Sequence, residues 1–200
     1  MQHITNIDDL EALYGAAVPA AITKVVQHMT PLYRQWITQS RFVVLSTVGA
    51  DGTDGTPRGD IGPVARIMDA QTIWLPDWRG NNRIDSLRNI VEDGRISLMF
   101  MVPGSNNVVR VNGRAVLTAD ADITDQFEHN GKHPKTVIVI TIGEMYFQCA
   151  KALMRSALWK SGDESGETPT AGQFIAEMKA GFDAGKYDAD YPQYAKGRMW

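Results

Sequence analysis

Between Phe42 and Gln148 the sequence is a succession of short apolar segments that are separated by turn-forming residues. Their β-branched and aromatic content, and the alternation of apolar with polar residues, predict β-strands. The six predicted strands are Phe42–Val48, Val64–Met68, Ile73–Leu75, Arg95–Val102, Val108–Leu117 and Thr136–Ile142, the last with a continuation over 145–148. Because they follow one another in hairpin-like succession, the pattern favours a Greek-key or meander barrel over a parallel βαβ sheet.

Three details of this pattern make specific predictions. Gly49–Gly55 contains two Asp-Gly pairs, which predict a hairpin loop. Arg95–Val102 is almost continuously apolar and is therefore expected to be buried on both faces. Gly113 interrupts the alternating strand that contains it, as a β-bulge or a close backbone approach would.

The segment before the first strand is predicted to be helical. Residues 6–15 suit a short capped helix with Leu10 and Leu13 on its inner face. A longer helix is expected from Pro19, because apolar residues then recur at spacings of three and four as far as Ile37. Pro31 should kink or split that helix.

Further helices are predicted beside and after the last strand. They cover Ile123–His129 and Ala150–Trp159. A Gly/Ser/Glu-rich linker over Ser161–Thr168 follows, and a capping box at Thr170 begins a last helix that is expected to end at Gly185. The predicted class is therefore mainly β with flanking helices (α+β).

Composition excludes several classes of protein. The net charge of −3 argues against a nucleic-acid-binding surface, which would need a basic stripe. No apolar run approaches the ~18 residues of a membrane span. The first residues are acidic where a signal peptide needs basic ones, and a single cysteine, Cys149, fits a reducing compartment. We expect a soluble cytoplasmic protein without nucleic-acid or membrane partners.

Most standard catalytic and metal motifs are missing from the sequence. There is no phosphate-binding Gly-Lys-Ser/Thr loop, no dinucleotide fingerprint and no nucleophile elbow. His129 and His133 are four residues apart, but Gly131 and Pro134 disfavour a metal-binding helix there, so no metal is predicted. The Arg-Gly-Asp tripeptide that begins at Arg58 is interpreted as a chance match to an adhesion motif.

The stretch Ile73–Ile90 is the best candidate for a binding site. It runs from an apolar strand through a loop rich in Arg and Asn to a helix, with Asn82 and Asp85 as a predicted N-cap pair. Unpaired backbone N–H groups at the helix N-terminus would attract an anion, and Arg79 and Arg83 could add forked donors suited to phosphate. A plain strand-to-helix connection is the alternative interpretation.

Other Arg, Asn, Lys and Trp residues lie near the ends of the predicted strands. With the loop residues the set comprises Arg58, Arg66, Trp78, Asn81, Asn82, Arg83, Arg110, Asn112, Lys151, Arg155 and Trp159. The chain has few candidate acids, bases or nucleophiles beside them. Such a set suits a phosphorylated aromatic cofactor that performs the chemistry while the protein binds and orients it.

These segments resemble a known family. The similarity is carried by Pro57–Asp60, Ala65–Asp69, Leu75–Ile90, Val109–Ala115 and Gln148–Trp159. They resemble the pyridoxamine 5'-phosphate oxidase-related, FMN-binding split-barrel family, and more narrowly a bacterial branch with the signature Gly-Asn-Asn-Arg-x-Asp-Ser-Leu-Arg-Asn. The similarity extends over residues 32–160.

The resemblance implies a six-stranded antiparallel split β-barrel that forms a homodimer with two FMN sites between the protomers. The family's phosphate-gripping loop matches Asn81, Asn82 and Arg83, with Arg58 or Arg66 as helpers. The family's cofactor-contacting Gln falls near Val108, and its candidate substitutes here are Asn107, Arg110 and Asn112. Lys151, Arg155, Ser156 and Trp159 would reach the flavin of the partner protomer.

The expected organisation has three parts. Residues 1–40 form a helical extension packed on the barrel, residues 41–160 form the FMN-binding split barrel, and residues 161–200 form a linker, a helix and an aromatic tail. The resemblance implies an FMN-dependent oxidoreductase of unknown substrate, with NAD(P)H as a candidate reductant. The alternatives are a flavin carrier without turnover and a heme- or deazaflavin-binding relative. The substrate residues at the C-terminus of pyridoxamine oxidase itself have no match.

Overall fold

A computed structural model describes all residues from Met1 to Trp200, and its centre is one antiparallel sheet of seven strands. The strands are β1 (Phe42–Gly49), β2 (Gly52–Gly59), β3 (Arg66–Ile67), β4 (Thr72–Asp77), β5 (Arg95–Met101), β6 (Val108–Thr118) and β7 (Thr136–Gln148). Their order in the sheet is β2-β1-β5-β6-β7-β4-β3. Each pairs antiparallel with its neighbours.

Eight helices flank the sheet. They are α1 (Ile7–Tyr14), α2 (Pro19–Thr23), α3 (Pro31–Gln39), α4 (Asp85–Glu92), α5 (Ala121–Thr124), α6 (Lys151–Ser156), α7 (Ala171–Met178) and α8 (Ala184–Lys196), with a short 3₁₀ turn over Ser165–Glu167. None of the helices combines the length and the apolar character that crossing a bilayer requires.

The core fills the concave side of the sheet. Alternate residues of the central strands are completely buried there, among them Leu45, Leu98, Phe100, Val111, Ile138 and Ile140. The sheet curls around this core but does not close, since β2 and β3 each pair on one side only. An open, curled antiparallel sheet with flanking helices confirms the predicted split barrel, with seven strands in place of six.

The hairpin between β1 and β2 is tighter than predicted. Gly49 pairs directly with Gly52, so only Ala50 and Asp51 form the turn. The second Asp-Gly pair, which begins at Asp54, lies inside β2. The predicted hairpin is present, but the prediction of a loop as long as residues 49–55 was wrong, because Ala50 and Asp51 alone reverse the chain and Gly52 already belongs to β2.

The predicted strand Val64–Met68 shrinks to the two residues of β3. Val64 and Ala65 are buried in the core outside any strand. Their apolar character reflects packing against the barrel, and sequence periodicity cannot distinguish such a buried connection from a strand.

Gly113 performs the role that the sequence predicted. The register of β6 against β7 shifts between Asn112 and Gly113, which marks a β-bulge. A Cβ atom on Gly113 would lie 2.1 Å from the carbonyl oxygen of Thr141. The bulge lets β7 continue through Gly143 to the end of the strand at Gln148, as the predicted continuation required.

The N-terminal helices confirm the predicted first helix, the predicted start at Pro19 and the predicted split at Pro31, but residues 24–30 are not helical and the predicted burial is not found. Asn6 caps α1 by accepting a hydrogen bond from the Asp9 N–H. Leu10 and Leu13 are exposed, so the prediction that they face inward was wrong. The longer helix is split into α2 and α3, and between them Val26 forms a β-bridge with Met145.

The predictions for the remaining helices were correct in part. The helix near 123–129 is the single turn α5, and α6 ends at Ser156 instead of Trp159. The capping box at Thr170 is present and begins α7. That helix ends at Met178, well before Gly185, and the predicted tail contains α8, whose first turn is capped by Asp183.

We expect Gly113→Ala to destabilise the fold by about 2 kcal/mol or more, because the new methyl group would overlap backbone atoms of β7. Urea unfolding of the purified protein measures the difference. Gly55→Ala is the matched control, since a Cβ atom on that β2 residue meets nothing within 4 Å. Equal stability of the two variants would contradict the bulge geometry.

Candidate functional site

The segment between β4 and α4 has an unusual backbone. Asn82 and Ile84 both adopt left-handed conformations, with φ angles of 62° and 52°. A positive φ is a genuine outlier for a β-branched residue such as Ile84. Strain of this kind persists only where the surrounding structure enforces it, and it concentrates at functional sites.

The N-terminus of α4 has no side-chain cap. Ile84 occupies the N-cap position, so the predicted capping pair of Asn82 and Asp85 was wrong. The first backbone N–H groups of α4 therefore lack the side-chain acceptor that usually satisfies them. Together with the helix dipole, they form the kind of end that binds an anion.

Arg83 lies at this helix end. Its Nε donates to the Asp85 carboxylate at 2.5 Å, and its side chain is 80% exposed. Its backbone N–H donates to the side-chain oxygen of Asn81 at 3.0 Å, which orders the loop. An exposed ion pair contributes little stability, so Arg83 can exchange Asp85 for another anion at low cost.

Arg58 and Trp78 form hydrogen bonds at the start of the loop. The Arg58 guanidinium donates to Asp77 at 2.7 Å, and its Nε is buried without a partner. Burial raises the pKa of the Asp77 carboxyl above its ordinary value, and the charge of Arg58 opposes that rise. Trp78 donates its indole N–H to Asp60 at 2.9 Å.

Arg66 lies elsewhere. On β3 its guanidinium donates to the side chain and the backbone carbonyl of Gln126, at 3.2 and 2.8 Å, and it lies 4.5 Å from the ring centre of Phe127. The structure gives it no contact with the loop after β4.

Two predicted residues lie on the half-buried side of β6. Arg110 lies over the ring of Tyr146 at 5.3 Å, and Asn112 donates to Glu144 at 2.7 Å. Val108 is buried, and the backbone N–H of Asn107 donates to Ser105 within the preceding turn.

The predicted residues of α6 form a third group. Lys151 and Arg155 are exposed, and the Ser156 hydroxyl donates to the Leu153 carbonyl of its own helix. Trp159 donates its indole N–H to the Ser105 carbonyl at 2.7 Å, which ties the end of this segment to the β5–β6 turn.

The structure therefore places Asn81, Asn82 and Arg83 together in the loop, with Trp78 at its start and Arg58 bonded to the preceding Asp77, and it places the other predicted residues in separate regions. Two cavities, of about 280 and 110 Å³, are lined by none of the predicted residues. No three His, Cys, Asp or Glu side chains are grouped closely enough to hold a metal ion.

Sequence reasoning missed the acidic partners of the loop. Asp54 accepts a hydrogen bond from the Ser86 hydroxyl, Asp60 accepts one from Trp78, and Asp77 pairs with Arg58. The Arg-Gly-Asp tripeptide was the available signal, since two of its three residues contact this segment. The expectation of a cytoplasmic protein led to its interpretation as a chance match to an adhesion motif.

A sequence model of the family described as "Pyridoxamine 5'-phosphate oxidase" matches residues 29–149. The chain belongs to the pyridoxamine 5'-phosphate oxidase family. The match includes the β4–α4 loop and both strands that hold Arg58 and Arg110, and it ends before α6. No protein of curated function matches the chain in sequence.

Solved structures are similar to the chain at low sequence identity. A variant of HupZ from Group A Streptococcus matches with a TM-score of 0.50 and 18% identity, over 60% of this chain and 98% of that one. A putative pyridoxamine 5'-phosphate oxidase from Lactobacillus delbrueckii matches with a TM-score of 0.49 and 19% identity, over 60% and 95% of the two chains. At 18% identity the likeness to HupZ concerns the fold alone.

We expect Asn82→Val to destabilise the protein by about 1–2 kcal/mol, because a branched side chain disfavours the left-handed backbone at this position. Asn82→Gly should be tolerated, since glycine adopts that conformation freely. Urea unfolding distinguishes the two variants. A valine variant as stable as the glycine variant would show that the backbone at residue 82 is not constrained.

Proposed function

We propose that the protein is a homodimeric FMN-binding flavoprotein that acts as an oxidoreductase, with FMN sites completed by a second copy of the chain. The observation that supports this best is the β4–α4 loop. It combines a left-handed backbone, an uncapped helix N-terminus and an exposed arginine within four residues, Asn82–Asp85.

The donor set of this loop fits a phosphate monoester. Backbone N–H groups at a helix N-terminus and a guanidinium are both strong donors to phosphate oxygens. Asp85 holds Arg83 through an exposed pair, which a doubly charged phosphate can displace. The side-chain oxygen of Asn81 accepts a hydrogen bond from the Arg83 backbone N–H, so the position of the Arg83 backbone does not depend on the ion pair with Asp85.

The scattered positions of the other predicted residues support a site shared between two copies. Arg110 and Asn112 lie on β6, whereas Lys151 and Arg155 lie on α6 and are exposed. The apolar side chain of Met154 is also exposed on α6. A helix with exposed charges and an exposed apolar residue suits packing against the flavin and barrel of a partner protomer.

The roles of the protein would be binding and orientation. FMN, when bound, supplies hydride or electron transfer through N5 of its isoalloxazine ring. Asn81 and Arg83, with the α4 N-terminus, would anchor the phosphate, and Arg110 and Asn112 would donate to polar atoms at the ring edge. None of these groups selects a substrate, and NAD(P)H is the candidate reductant.

Arg83→Ala should weaken FMN binding about 10- to 150-fold, the effect of losing one charge-assisted contact. Quenching of FMN fluorescence on titration measures the affinity. Arg34→Ala is the matched control: it removes the same charge from an exposed residue of α3, close to Asp69, which precedes β4 at the end opposite to the loop. We expect it to leave FMN binding unchanged.

Several experimental results would contradict this proposal or favour another function or cofactor. Purified protein that is colourless and ignores added FMN would contradict it. Bound FMN that NAD(P)H reduces no faster than free flavin would indicate a flavin carrier. A Soret band after reconstitution, or a preference for deazaflavin in competition with FMN, would assign a different cofactor.

A further inference from the structure

Three side-chain hydrogen bonds connect β2 and the residue that follows it to the segment around the β4–α4 loop. Arg58 donates to Asp77 at 2.7 Å, Trp78 donates to Asp60 at 2.9 Å, and the Ser86 hydroxyl donates to Asp54. We name Asp54, Arg58 and Asp60 together the β2 clasp.

The geometry of β2 explains why these residues reach the loop. Asp54 lies opposite Thr47 and Arg58 lies opposite Val43, and both of these β1 residues are buried on the inner face of the barrel. Side chains at alternate positions of a strand point the same way, so Asp54 and Arg58 share that inner face, and Asp60 follows directly after the strand. Because β2 is an edge strand, its inner side chains can extend across the open side of the barrel.

The contacts hold the loop at both of its ends. Asp77 and Trp78 lie at its start, and Ser86 lies in the first turn of α4 and is buried. Between them, residues 79–84 are exposed to solvent. The loop is therefore fixed where it begins and ends, and its exposed middle part remains accessible to a ligand.

We propose that Asp54, Arg58 and Asp60 are positioning residues, which set the geometry of the phosphate-binding loop without contacting the phosphate. This inference rests on the proposed function. It assigns Arg58 a different role from Arg83: the Arg58 charge is balanced by Asp77 in a pair that is mostly buried, with the Arg58 side chain 23% exposed, whereas Arg83 is open to solvent.

The clasp also explains how the site tolerates several carboxylates near an anion. Asp54 accepts a hydrogen bond from Ser86, Asp60 from Trp78 and Asp77 from Arg58. Each carboxylate therefore faces a donor of the protein itself. Asp60 accepts a further bond from the Ile61 N–H at 2.7 Å. Simple charge repulsion predicts that removing these acids strengthens phosphate binding, whereas the clasp predicts the opposite.

The two explanations predict opposite changes in FMN affinity when the acids are replaced by alanine, and the test uses this difference. The double variant Asp54→Ala with Asp60→Ala should bind FMN about tenfold more weakly than wild type, because the loop loses its supports. The double variant Asp54→Asn with Asp60→Asn removes the same charges but keeps one acceptor oxygen at each position, which can still accept from Ser86 and from Trp78 while the local bond from the Ile61 N–H is lost, and it should bind at least as tightly as wild type. FMN fluorescence titration measures all three proteins. Alanine variants that bind as tightly as the asparagine variants would overturn the proposal.

A second measurement separates this proposal from the FMN proposal. Amide hydrogen exchange of the free proteins should be about tenfold faster at the hydrogen-bonded amides of the loop and the first turn of α4, those of Arg83 and Arg88, in the alanine double variant, with β5 unchanged. The asparagine variant should match wild type. If wild type binds no FMN, the proposed function fails but loop exchange still tests the clasp. If exchange over the loop is the same in all three proteins, the clasp does not position the loop.

Discussion

The ion pair of Arg58 and Asp77 joins two strands that the sheet itself leaves apart. In the order of the sheet, β2 and β4 are separated by β1, β5, β6 and β7, so no backbone hydrogen bond can connect them. The pair forms only because the sheet curls until its inner face encloses the core. Removing one partner would leave the other charge buried without compensation, which typically costs ~3 kcal/mol. The position of the β4–α4 loop, and with it the candidate site, depends on this closure.

Much of the barrel could be predicted because strands of this kind have a strong local signal. Alternating or continuous apolar residues located β1, β5, β6 and β7, and Gly113 marked the bulge that the β6–β7 register confirms. The errors occurred where the spacing of apolar residues in the sequence did not correspond to their secondary structure or their burial. Residues Val64 and Ala65 are core residues without being a strand, and Leu10 and Leu13 form an apolar helix face that nothing in one copy covers. Tertiary packing decides such cases, and local sequence does not report it.

The candidate site shows the same division between local and long-range information. Its arginine and asparagine residues were recognisable because they are neighbours in the sequence. The left-handed backbone at Ile84 was not, since a β-branched residue gives no local signal for a positive φ. The partners Asp54 and Ser86 are 32 residues apart, and only the curl of the sheet brings them together. Their contact turns a strand-to-helix connection into a fixed loop with exposed donors.

The central claim is that this loop binds the phosphate of FMN, and the direct test compares FMN with riboflavin, which lacks the phosphate. Calorimetric titration of the wild-type protein should show that FMN binds at least about 100-fold more tightly, the value of two charge-assisted contacts. In Arg83→Ala that ratio should fall at least tenfold while riboflavin affinity stays constant. Equal affinities of the wild-type protein for FMN and riboflavin, or a ratio unaffected by Arg83→Ala, would contradict the assignment of the loop.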